Sequence, residues 1–78
     1  MSQRTGVWTF YVLGVPVYVR ELPFNNISVF HPTNQAVREI IEPICRGRGY
    51  WSADYKNWVI FEQFRTIILN ELERLRRL

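Results

Sequence analysis

The stretch that most constrains the fold is Arg46-Gly47-Arg48-Gly49-Tyr50-Trp51-Ser52-Ala53-Asp54-Tyr55-Lys56-Asn57-Trp58-Val59-Ile60-Phe61. It sets a glycine-loosened basic loop ahead of two aromatic, β-prone runs separated by a polar turn. The segments on either side have helical periodicity. Val37, Ile40, Ile41 and Ile44 fall at i, i+3, i+4 and i+7, and Phe64, Ile67, Ile68, Leu72 and Leu75 form a second apolar stripe. A helix, a hairpin and a second helix must therefore follow one another.

The first helix is expected to open near His31-Pro32, with its cap supplied by His31, Thr33 or Asn34. Pro43 removes the hydrogen bond to the Glu39 carbonyl, so the helix should end near Glu42 or kink, with a distorted last turn through Ile44-Cys45. The hairpin reads as Tyr50 to Ala53 and Trp58 to Phe61, joined by Asp54-Tyr55-Lys56-Asn57. The closing helix reads as Glu62 to Leu78. Glu62 suits its positive end, Arg74, Arg76 and Arg77 its negative end, and Glu73 with Arg77 makes an i, i+4 pair.

Upstream, Val7 to Leu13 is β-branched and aromatic. Trp8, Phe10 and Val12 share one face, and Val7, Thr9, Tyr11 and Leu13 the other. Gly14-Val15 supplies a tight turn, Val17 to Arg20 returns as a strand with Pro16 at its start, Pro23 to Asn26 turns the chain, and Ile27 to Phe30 is a third strand. The expected fold is α+β over one domain, residues 1–78: an antiparallel sheet with two helices, in the order β-β-β-α-β-β-α. At 78 residues one core is barely enough, and the 47% hydrophobic and 15% aromatic content compensates.

The single cysteine excludes an internal disulfide, and Cys45 continues an apolar helix face, so it reads as a core residue. No apolar run is long enough to span a bilayer, and the start has no signal-peptide pattern. The expectation is a soluble, cytoplasmic protein with no membrane contact.

Enzyme chemistry has no visible constellation. His31 is the only histidine and has no cysteine at ligand spacing, so no metal, cofactor or catalytic residue is expected. A net charge of +3 admits an anionic partner. Arg46, Arg48 and Lys56 are expected at one end of the hairpin, with Arg65 nearby, where they would neutralise phosphate. Tyr50 and Tyr55 would stack on or contact unpaired bases. Three phosphate contacts imply a log–log salt slope of about −2 to −3. Trp58 is expected to be buried, and Tyr55 exposed at the turn.

Gly47-Arg48-Gly49-Tyr50, Lys56 in the turn, Trp58 with Ile60, and Phe64 with Ile68 beyond resemble the pattern of the HARP (HepA-related protein) domain over about Ile27 to Leu75. Trp51 departs from it, standing where the family has aspartate. HARP domains serve annealing helicases in recognising branched or forked DNA. The resemblance thus implies a free-standing, motor-less module for single-stranded or forked DNA, of the kind that mobile elements carry. The competing expectation is a phage- or plasmid-type inhibitor or adaptor that binds a host nucleic-acid machine, as anti-CRISPR proteins do. The two-sided N-terminal hairpin, through Trp8, Phe10 and Tyr11, offers a surface for such a partner or for a homodimer.

Overall fold

A computed structural model describes residues 6–75. The chain forms β1 (Val7–Val12), β2 (Val15–Glu21), β3 (Ile27–Phe30), α1 (Gln35–Cys45), β4 (Gly49–Ser52), β5 (Asn57–Ile60) and α2 (Arg65–Leu75), with short 3-10 turns at Pro23–Asn25 and Glu62–Phe64. The strands make one five-stranded sheet in the order β1-β2-β3-β5-β4, with every neighbouring pair antiparallel. The α+β order read from the sequence holds.

Strand alternation divides the sheet cleanly. Phe10, Val12, Val17, Val19, Ile27, Val29 and Ile60 point to one face and are buried with Val37, Ile41 and Cys45 of α1 and Ile68 and Leu72 of α2. Both helices therefore cover the same face. Trp8 and Phe10 go to this core, half-buried and buried respectively, and only Tyr11 of the expected contact trio stays exposed.

The first turn sits one residue earlier than expected. Val12 pairs with Val15, and Leu13-Gly14 form the turn with φ of 53° and 77°, positive at both positions as type I′ requires. Pro16 explains the shift. A Gly14-Val15 turn would make Pro16 the flanking residue, obliged to donate the closing hydrogen bond, and proline has no N–H. In the observed register Pro16 lies opposite Tyr11, where its nitrogen points away from β1. β3 begins to pair with β2 only at Tyr18, so no ladder bond is lost.

Of the three candidate caps for α1, Asn34 is used: its Oδ1 accepts the Val37 N–H at 3.0 Å. Pro32 stays outside the helix. Pro43 neither ends α1 nor stops it short of Cys45; the Arg46 N–H still reaches the Glu42 carbonyl at 2.9 Å. The buried Cys45 and half-buried Ile44 hold that turn against the core. In α2 the buried stripe is narrower than expected. Ile68 and Leu72 are buried, Phe64, Leu69 and Leu75 pack against them, and Ile67 is exposed. Arg74 pairs with Glu71; Arg76, Arg77 and the expected Glu73–Arg77 pair lie outside the described residues.

Leu13 carries a left-handed backbone and an exposed apolar side chain, so Leu13→Asn is expected to stabilise the fold by about 1 kcal/mol in urea denaturation. Burial pushes the Cys45 thiol from 9.0 up to about 12, opposed by the nearby Arg48 charge. The unfolded chain then loses this proton first. The stability advantage of the neutral thiol is complete below pH 9 and disappears as pH rises through about 12. Unfolding of the wild type against Cys45→Ala should show the difference between them narrowing above pH 9.

Candidate functional site

With both helices on one side, the other face of the sheet is left open. Across it run Val7, Arg20, Ser28, Val59 and Tyr50 in one register row, and Thr9, Tyr18 and Phe30 in the next. Tyr18 and Phe30 stack with ring centroids 6.3 Å apart at 20°, and Tyr50 lies against Phe61 at 6.1 Å. Between these aromatic pairs the floor is low, made by Ser28 and Val59. The result is a shallow groove of about 710 Å³. Arg20 to Tyr50 spans three strand spacings, roughly 14 Å. No Asp or Glu occupies an open-face position of the described strands. Arg20 lines the groove, exposed, and makes no ion pair with any described residue.

Two of the five expected site residues meet at this groove. Tyr50 stands on the open face, and Tyr55, 77% exposed in the hairpin turn, lines the same groove. The three basic residues do not come together. Gly49 pairs with Ile60 and Ser52 with Asn57, so Arg46 and Arg48 sit at the open end of the β4–β5 hairpin and Lys56 at its tip. Arg46 is paired with Glu42 at 2.6 Å, and Arg48 donates to the Ile44 carbonyl at 3.3 Å. Arg65 is removed from any basic cluster as well. It grips both Glu21 oxygens and donates to the Asn25 carbonyl at 3.1 Å, tying the start of α2 to the end of β2.

The basic segment is not a loose loop. Arg46, at φ −63° and ψ 133°, and Gly47, at φ +82°, form a type II turn closed by the Arg48 N–H on the Cys45 carbonyl at 3.0 Å. Gly49 is the first residue of β4, where a Cβ would come within 1.8 Å of the Val59 carbonyl oxygen. Both glycines answer to the chain's own backbone.

Lys56 faces a second cavity of about 640 Å³ on the helix side, shared with Arg38, Trp51 and Trp58. There Trp51 packs edge-on to Trp58 at 5.7 Å; Trp58 is half-buried, and Trp51 is exposed at the sheet edge. His31 Nδ1 donates to the Pro32 carbonyl at 2.9 Å, a local contact at the helix entry. Among the described residues no three His, Cys, Asp or Glu side chains gather as metal ligands, and no helix is long and apolar enough to cross a membrane.

Comparison with protein-family models, curated proteins and solved structures gave no match. The site is therefore read from its own geometry. Sequence reasoning missed Tyr18, Arg20 and Phe30. The available signal was parity: Tyr18 and Arg20 alternate with Val17 and Val19, which marks a second, uncovered face.

Substitution at the two glycines tests their structural role. Gly49→Ala is expected to cost at least about 2 kcal/mol, because the obstructing atom belongs to a central strand. Gly47→Ala meets open space and should cost only about 1 kcal/mol for its left-handed backbone. Urea unfolding of the two variants gives the order.

Proposed function

We propose that this protein is a non-enzymatic module that binds unpaired nucleic acid, with single strands or the unpaired arm of a forked DNA as the ligand. One observation carries the reading: among the described residues, an open sheet face without acids, with aromatic walls, a low floor and an Arg20 guanidinium paired with no carboxylate. Bases stack on Tyr18, Phe30 and Tyr50, and Arg20 meets a phosphate. Antiparallel sheets that display aromatics in this way stack two or three bases, and each stacked base contributes about 1–3 kcal/mol. The roughly 14 Å from Arg20 to Tyr50 across the sheet suits that number.

This reading moves the contact surface from the basic segment to the sheet. Arg46 and Arg48 already have partners within the fold, whereas Tyr50 and Tyr55 keep the role expected of them. The resemblance to HARP domains suits a ligand with unpaired bases, and the geometry of the open face favours stacking over duplex recognition.

Fluorescence anisotropy with labelled single-stranded, duplex and forked oligonucleotides tests it. Tyr18→Ala and Tyr50→Ala should each weaken single-strand binding about tenfold, and Arg46→Ala with Arg48→Ala should change it less than about twofold. One or two phosphate contacts give a log–log salt slope of about −0.7 to −1.4 for single strands. A slope of −2 to −3 with loss on the double arginine change would return the site to the basic turn. A stoichiometric protein partner that survives nuclease treatment, with no oligonucleotide bound, would put the inhibitor or adaptor reading in its place.

A further inference from the structure

Phe24 is the most exposed large hydrophobic residue described, at 88%. Its backbone is left-handed, φ 65°, and Asn25 follows at φ 66°. Both features work against the fold. A phenylalanine Cβ crowds the backbone in this region, and the ring is left in water. Asparagine or glycine would hold the same turn at lower energy. Strain of this kind persists where the surroundings enforce it and where function uses it.

The surroundings do enforce it. The Leu22 N–H donates to the Asn26 carbonyl at 2.8 Å, and the Glu62 N–H donates to Asn26 Oδ1 at 3.0 Å. Arg65 holds the Asn25 carbonyl while gripping Glu21. The turn is thus tied across its own base and to the start of the closing helix. The ring on top is presented by a braced support.

Its position completes the argument. Phe24 lines the same groove as Tyr18, Tyr50 and Tyr55. β3 runs from Ile27, beside the Phe24 turn, to Phe30, and antiparallel β5 starts at Asn57, beside the Tyr55 turn. Phe24 and Tyr55 therefore stand at opposite ends of the groove along the strands.

We infer that Phe24 is a preformed stacking residue that closes one end of the open-face groove and receives a base of an unpaired strand. The inference rests on the single-strand reading of that groove. Because the turn is already ordered, binding need not order it. Tyr55 bounds the far end, so the site has a finite length of about three or four nucleotides.

The test uses Phe24→Asn and Phe24→Trp in the whole chain, with oligo-dT from two to ten nucleotides. Phe24→Asn should raise the urea midpoint and weaken binding of the longer oligonucleotides about tenfold, two effects of opposite sign. Phe24→Trp should keep wild-type affinity, and its added fluorescence should be quenched by bound oligonucleotide. Affinity in the wild type should stop rising at about four nucleotides. Wild-type affinity in Phe24→Asn, with Tyr18→Ala still weakened, would overturn the role of Phe24 and leave the groove intact. A wild type that binds no oligonucleotide would overturn the groove reading and this one with it. Self-association that Phe24→Asn abolishes, without change in oligonucleotide binding, would assign the ring to a protein contact instead.

Discussion

The pairing of β3 with β5 is the interaction on which the rest of the structure depends. Every other strand pair is built from neighbours in sequence: β1 with β2, β2 with β3, β4 with β5. Only Ile27↔Ile60, Ser28↔Val59 and Val29↔Trp58 join the N-terminal meander to the C-terminal hairpin. That ladder closes a long loop, and its entropy cost is offset by burying Ile27, Val29 and Ile60 beneath the two helices. It also builds the open face, because Tyr18 and Tyr50 share one groove only when Ser28 and Val59 stand between them. Fold and site thus rest on the same three residue pairs.

Local chemistry was legible in the sequence and long-range order was not. The faces of β1, the helix stripes and the element order follow from periodicity, which each segment carries by itself. The turn at Leu13-Gly14 could have been placed by asking which residue must donate its closing hydrogen bond, since Pro16 cannot. Strand order is another matter. Nothing in Gly49–Ser52 says whether it or Asn57–Ile60 meets β3. The expectation that Arg46, Arg48 and Lys56 lie together failed for a simpler reason: a hairpin sends its ends and its tip in opposite directions.

The candidate site divides along the same line. Tyr50 and Tyr55 were visible because aromatics beside a turn are conspicuous. Tyr18, Arg20 and Phe30 were not, because their importance comes from being brought beside Tyr50 by strand order. Charge misled in the opposite way. Arginines next to glycines suggested a loose basic loop, yet Gly47 serves a type II turn and Gly49 a close strand approach. Arg46 and Arg65 each neutralise a glutamate of the fold. A basic composition shows how many cations there are and leaves open how many are free.

The contact of α2 with β1 has a consequence for how the chain is made. Within this domain β1 is made before α2, the helix that covers it. At about 5–20 residues per second, Phe10, Val12, Val17 and Val19 wait on the order of seconds for Ile68 and Leu72. The nascent meander must spend that interval without the cover of α2. Only once α2 has emerged can the faces of β1 and β2 close into the domain's core.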